Sequence, residues 1–79
     1  MADYNTSKVD EMVLALLYLT SWREHGFVRA WKSHDWDALD RLSEKGLISD
    51  PKSKSKSVVL SEEGARLAEE LFQRFCGSE

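Results

Sequence analysis

The sequence has few of the residues that cross-link very small domains. Its 79 residues include one cysteine, one proline and two histidines. A lone Cys76 cannot form a disulfide within the chain, and the spacing of His25 and His34 does not match a zinc site. We therefore expect no metal and no cofactor, and a fold held by one small hydrophobic core that contributes a margin of about 3–5 kcal/mol.

Long hydrophobic runs, a secretion signal and catalytic motifs are missing as well. The longest apolar run, residues 12–19, is far shorter than the roughly 20 residues that cross a bilayer. Residues 1–7 are polar and lack the pattern of a signal peptide. The chain contains no Gly-rich phosphate loop and no nucleophile motif. We expect a cytoplasmic protein that is not an enzyme and does not bind membranes.

Three amphipathic stretches predict three helices. The first, about residues 6–20, is apolar on nearly all sides, which requires burial on two sides. The second, about residues 36–45, and the third, from residue 62 onward, carry one apolar face each. The expected N-caps are, in chain order, Thr6 or Ser7, Ser33 or Asp35, and Ser61.

Short strands are predicted between these helices. Residues 27–31 combine aromatic and β-branched side chains after Gly26, which is typical of a short strand. Residues 47–49 and 57–60 flank a polar segment and indicate a hairpin. The order helix, strand, helix, hairpin, helix predicts one small α+β domain that spans residues 1–79.

Three tryptophans are candidates for either the core or a base-stacking surface. Trp31 lies in the predicted strand and Trp36 on the apolar face of the second helix. We expect both in the core, because a small domain needs large apolar side chains there. Trp22 lies among polar residues, and its position leaves both alternatives open.

Two segments carry a resemblance to known families. Residues 38–48 (ALDRLSEKGLI) and 59–64 (VLSEEG) resemble the winged-helix domains of MarR-type bacterial regulators. In those domains a Leu-x-x-Leu-x-x-Lys-Gly-Leu-Ile segment ends the recognition helix, and Val-x-Leu-Thr-x-x-Gly leads from the wing into the last helix. With residues 29–32 and 35–51 included, nearly the whole chain resembles a family of short bacterial proteins described only as a domain of unknown function.

The resemblance implies a small winged-helix-like domain with three main helices and a two- or three-stranded antiparallel β-hairpin wing. A complete winged helix also has a short strand and a support helix before the recognition helix. Residues 22–34 leave room for little more than the strand and one turn, so we expect a reduced second helix. Residues 35–50 contain five acidic and two basic residues, and this local charge of −3 repels phosphate.

Positive charge is concentrated in the predicted wing. Lys52, Lys54 and Lys56 have no acidic neighbour between residues 51 and 60. We predict that they contact nucleic acid, with duplex DNA as the expected ligand and transcription regulation as the expected role. Three lysines neutralise about three phosphates, which gives a salt slope of about −2.7. The basic contributors expected from the recognition helix are Arg41 and Lys45.

A solvated tip is the alternative explanation of these lysines, because charges keep exposed strand edges from pairing. A second basic segment, residues 23–34, contains Arg23, Arg29 and Lys32 and has a net charge of +2. It would extend the positive field of the wing only if the fold brings the two segments together.

Protein binding is the alternative function. Asp37, Asp40 and Glu44 form an acidic helix face that suits a basic protein surface. Such a face is also common on helices that are merely solvated, and an Asp37–Arg41 pair would support the helix by about 0.2–0.5 kcal/mol.

The first helix predicts self-association. One small core cannot easily cover a helix that is apolar on all sides. We therefore expect Leu14 and Tyr18 to pack against a second copy in a homodimer, which would present two wings.

Overall fold

The computed structural model describes residues 4–32 and 34–77. Over these residues it contains three helices and a three-stranded antiparallel sheet in the order β1-β2-β3. This confirms the expected small α+β domain. The elements are α1 (Thr6–Leu19), β1 (Trp22–Glu24), β2 (Phe27–Trp31), α2 (Trp36–Glu44), β3 (Ser57–Leu60) and α3 (Glu62–Cys76).

Each helix begins at a polar side chain that accepts a hydrogen bond from its first turn. Asp35 and Ser61 were both expected as caps. The N-cap of α1 is Asn5 and not the expected Thr6 or Ser7, because the Asn5 side chain is the acceptor. The hydrogen bonds run from Lys8 N to Asn5 (3.1 Å), from Ala38 N to Asp35 (3.1 Å) and from Gly64 N to Ser61 (2.9 Å).

A tight hairpin replaces the expected reduced second helix. Strands β1 and β2 pair with Trp22 opposite Arg29 and are joined by His25 and Gly26. Both turn residues have positive φ, 53° and 83°, which is the geometry of a two-residue hairpin turn. The residues between α1 and α2 that the structure describes therefore form a second strand rather than a helical turn.

Strand β3 pairs mainly with β2 and not with residues 47–49. The β2–β3 register places Trp31 opposite Ser57, whereas Ile48 reaches β3 only through an isolated bridge to Leu60. Beyond this bridge the Ser49 side chain accepts from the Val59 N–H at 2.9 Å, where a longer strand would offer a backbone carbonyl. The expected hairpin is thus reduced to a single bridge.

The core lies between the helices and the inner face of the sheet. Helix α1 packs against both α2 and α3, and β2 and β3 contribute small and branched side chains. The buried apolar residues are Val13, Leu14, Ala15, Leu17, Ala30, Ala38, Leu39, Leu42, Leu47, Ile48, Val58, Leu60, Ala68 and Leu71.

The expectation that Trp31 and Trp36 lie in the core is wrong. Their side chains are 52% and 54% exposed. Successive strand residues face opposite sides, and fully buried Ala30 fixes the inner face, so its neighbour Trp31 faces outward. Trp36 is the first residue of α2, and the buried face of that helix begins at Ala38.

The first turn of α3 packs directly on the backbone of Leu47. A Cβ at Gly64 would overlap the Leu47 carbonyl oxygen and lie 2.8 Å from its carbonyl carbon. Ser61 also donates its N–H to the Leu47 oxygen, at 3.0 Å. The absence of a side chain at Gly64 therefore sets how closely α3 approaches the rest of the domain.

Gly64→Ala is expected to destabilise the domain by about 1–3 kcal/mol because of this overlap. In an open helix the same change would stabilise by up to about 1 kcal/mol, so the sign of the effect identifies the clash. Urea unfolding measures it. Arg66→Ala, at an exposed position of the same helix, serves as the control. A Gly64→Ala protein as stable as the wild type would contradict the close approach.

Candidate functional site

The three lysines of the predicted wing lie on one exposed loop. We call residues 51–56 the lysine loop. Lys52, Lys54 and Lys56 are exposed, whereas Pro51 at its start is buried. Asp50 accepts from the Lys52 N–H at 2.9 Å and forms the local turn. No carboxylate among the described residues lies within ion-pair distance of the three ammonium groups.

The lysine loop is attached to the end of β2 by Lys32. Its Nζ donates to the carbonyl oxygens of Pro51 and Ser53, at 2.6 and 2.8 Å. The Lys32 N–H also donates to the Lys56 oxygen at 3.3 Å. Because all three acceptors are neutral, the positive charge of Lys32 is added to that of the loop.

Arg29 connects the same loop to the middle of β2. Its Nε donates to Ser57 Oγ at 3.1 Å and its Nη2 to Ser55 Oγ at 3.3 Å. Its Nε also lies 3.8 Å from a carboxylate oxygen of Glu24. The fold thus brings Arg29 and Lys32 of the second basic segment to the lysine loop.

Aromatic side chains cover the side of the sheet that faces away from the helices. We call this side, with Trp22, Phe27, Arg29 and Trp31, the outer sheet face. The rings of Trp22 and Trp31 contact each other with centroids 4.7 Å apart and an interplanar angle of 43°. Trp22 Nε1 donates to Glu24 at 3.4 Å. Since Trp31 is opposite Ser57, this ring lies beside the point where the lysine loop enters β3.

The exposed Trp36 lies close to Lys32, which anchors the same loop. The Nζ of Lys32 is 5.9 Å from the ring centroid of Trp36, within the range of a cation–π contact. His34 lies between these two residues in the chain, and burial lowers its pKa from the usual 6.5. His34 is therefore neutral at pH 7 and adds no positive charge.

Sequence reasoning weighed base stacking for the tryptophans but assigned Trp31 and Trp36 to the core and left Trp22 open, so it did not place the aromatic part of this site. The alternation of β2 carries the necessary signal, since small Ala30 between Arg29 and Trp31 marks the inward phase. The Trp22–Trp31 contact requires the hairpin of β1 and β2. Only the second of these strands was predicted from the sequence.

The two basic residues expected from the recognition helix are engaged elsewhere. Arg41 donates from Nε and Nη2 to both carboxylate oxygens of Asp10, at 2.7 to 2.9 Å. Lys45 Nζ lies 3.6 Å from the same carboxylate, which is buried. The hydrogen bonds that Arg41 donates to Asp10 raise the pKa of Arg41 above its ordinary value. Arg41 thus pairs with α1 and not with Asp37, and neither residue joins the lysine loop.

The residues expected to bind proteins are distributed over two helices. On α2, Asp37 and Glu44 are exposed and Asp40 is half-buried. On α1, Leu14 cannot contact a second copy as expected, because it is 1% exposed within its own domain. Tyr18 is half-buried, and its ring centroid lies 5.3 Å from that of Phe72. The exposed apolar residues of α1 are instead Met12, Leu16 and Leu19.

Other types of site have no counterpart in residues 4–32 and 34–77. No cluster of three or more His, Cys, Asp or Glu side chains that could hold a metal ion occurs there. No helix in this part of the chain is long and apolar enough to cross a membrane. Cys76 is exposed at the end of α3.

Comparisons with known proteins agree with the resemblance to a family of short uncharacterised proteins. The family model described as "Domain of unknown function (DUF6429)" matches residues 5–78. A protein of Sinorhizobium fredii, "Uncharacterized protein y4hR", is 53% identical over 72 residues, which cover 91% of this chain and 93% of the relative. No solved structure matches the chain. The winged-helix resemblance is therefore not confirmed.

Asp10→Asn is expected to lower the urea midpoint of unfolding strongly. An amide cannot accept both guanidinium bonds, and its NH₂ group would be directed at the Arg41 donors. Asp37→Asn removes the same charge from an exposed position and should leave the midpoint nearly unchanged. Equal midpoints for the two variants would show that the Asp10–Arg41 pair does not hold α1 against α2.

Proposed function

The chain belongs to the family of the domain of unknown function DUF6429, and we propose that it binds nucleic acid through the lysine loop, as a small cytoplasmic regulatory module without enzymatic activity. The observation that supports the proposal is the anchored positive charge of the loop, which has no ion-pair partner in residues 4–32 and 34–77. Lys52, Lys54 and Lys56 are exposed, and Lys32 fixes the loop through neutral carbonyl oxygens.

Charge separation along the chain supports this proposal. The net charge of the whole chain is −3, which disfavours polyanion binding by the surface as a whole. Residues 51–60 alone carry +3. Lys32, which contacts the loop through neutral carbonyl oxygens, increases the local positive charge further, whereas the charge of Arg29 is shared with Glu24. Contact between this loop and phosphates releases counterions from the nucleic acid, and this contribution to binding does not require that the whole protein be basic.

Helix α2 is a poor candidate for reading bases in a groove. Its exposed Asp37 and Glu44 repel the phosphate backbone. Its Arg41 is held by Asp10 through Nε and Nη2. The proposed contact is therefore made by the loop with phosphates, which position a nucleic acid without specifying its sequence.

Replacing Lys52, Lys54 and Lys56 together by alanine should weaken binding and make it less salt-dependent. Three lost phosphate contacts reduce the salt slope by about 2.7 on a duplex or about 2.1 on a single strand. Fluorescence anisotropy with a labelled duplex and a labelled single strand of the same sequence, titrated at several salt concentrations, measures both quantities.

The matched control replaces three exposed basic residues of the helices, Lys8, Arg66 and Arg74, by alanine. It changes the net charge by the same amount and should leave binding close to that of the wild type. The proposal fails if the loop variant binds both probes as tightly as the wild type at low salt, or if the control weakens binding equally.

Protein binding through α1 is a second candidate function. Met12, Leu16 and Leu19 follow the i, i+4, i+7 spacing of one helix face, and all three are exposed. An apolar stripe is complementary to itself, so a second copy is the partner that this face suits, in a symmetric homodimer. The acidic face of α2 is the corresponding candidate for a basic protein partner.

Leu16→Glu should convert such a homodimer into monomers, because it places a charge in the middle of the stripe. Light scattering over a range of concentrations measures the mass. Gln73→Glu introduces the same charge on the exposed surface of α3 and should not change the mass. A wild-type protein that is monomeric at high concentration would exclude this candidate.

A further inference from the structure

We infer that the outer sheet face stacks unpaired bases, so that the nucleic acid bound by this domain is single-stranded. This inference rests on the proposed function, because the lysine loop supplies the phosphate contacts. It goes beyond the proposed function, because the charge of the loop alone does not distinguish single-stranded from duplex nucleic acid.

The first argument is the exposure of the aromatic rings. Trp31 is 52% exposed and Phe27 is 58% exposed, although both belong to a sheet whose other face is buried. Trp31 contacts the half-buried Trp22, and its own ring remains exposed. A tryptophan held on a strand offers a fixed, flat surface, which is the element that proteins use to stack bases without sequence preference.

The second argument is the position of these rings relative to positive charge. Trp31 is opposite Ser57, the first residue of β3, and the lysine loop ends immediately before it. The hydrogen bond from Lys32 N to Lys56 O continues this pairing into the loop. A base stacked on Trp31 would therefore have its phosphates beside the lysines. This combination of aromatic rings and adjoining positive charge is what a single strand requires.

The third argument is the polar group between the rings and the loop. The Arg29 guanidinium is held on this face by Ser55 and Ser57. A fixed guanidinium plane stacks on bases and also contacts phosphate. The acidic residue of this face, Glu24, is already in contact with Arg29 and with the indole N–H of Trp22.

A duplex does not fit this surface. Base pairs expose their edges in the grooves and hide their π faces within the stack, so flat rings on a sheet cannot reach them. Groove reading would require an inserted element, and α2 presents Asp37 and Glu44 to solvent. The outer sheet face and the lysine loop therefore suit unpaired bases and their phosphates.

The test compares wild type and Trp31→Ala on three probes: a short thymidine oligomer, an abasic oligomer of equal length and a duplex. The variant should bind the thymidine oligomer about five-fold or more weakly and the abasic oligomer unchanged, because only stacking is lost. Trp31→Phe should retain most of the binding. Phe75→Ala removes an exposed aromatic ring from the end of α3 and should have no effect. A uridine oligomer as a fourth probe distinguishes RNA from DNA as the preferred strand.

The inference is overturned if wild type and Trp31→Ala discriminate equally between the thymidine and abasic oligomers, or if the wild type prefers the duplex. The lysine variants separate this result from failure of the proposed function. A reduced salt slope in the triple lysine variant together with unchanged discrimination in Trp31→Ala overturns stacking alone. Absence of binding to every probe overturns both proposals.

Discussion

A buried carboxylate determines how the helices of this domain are arranged. Asp10 is 2% exposed, and a charge removed from water in this way must be paired. Arg41 pairs with it through both carboxylate oxygens across 31 residues of sequence, and Lys45 lies on the same side. The pair fixes α1 against α2. Asp10 thus engages both Arg41 and Lys45, and Asp37 and Glu44 are the exposed acids of α2.

The positive surface of the molecule is consequently found on the sheet and its loop. The difference lies in the acceptors. Arg41 and Lys45 face a carboxylate, whereas Lys32 anchors the lysine loop through carbonyl oxygens. Arg29 contacts the loop through serine hydroxyls and also lies 3.8 Å from a carboxylate oxygen of Glu24. Neutral acceptors hold the loop in place without cancelling its charge. Arginine and lysine therefore stabilise the helical part of the fold by pairing with Asp10, whereas at the loop they act as anchors that leave the charges of the three lysines exposed.

Local signals in the sequence predicted the parts of the fold that depend on neighbouring residues. The caps at Asp35 and Ser61 were predictable, because their side-chain oxygens act within one helical turn. The burial of Asp10 was not predictable, because an acid in the first turns of a helix also suits the helix dipole. Its burial depends on Arg41, which is distant in the sequence. The turn at His25 and Gly26 was missed because the dipeptides that signal a two-residue hairpin turn are Asn-Gly, Asp-Gly and Gly-Gly, and His-Gly is not among them.

The lysines of the candidate site were predicted, whereas its aromatic side chains were not placed there. The reason is the alternation of strand residues between the two faces of the sheet. Hydrophobicity assigned Trp31 to the core, but burial in a strand depends on which residues share a face, and Ala30 occupies the inner one. The core is accordingly built from aliphatic and small side chains, with all three tryptophans outside it. In a domain with so small a margin, burying an indole would add stability. Trp22 and Trp31 instead lie on the outer sheet face, which Arg29 and the lysine loop border, and this is the position that the proposed stacking of bases requires.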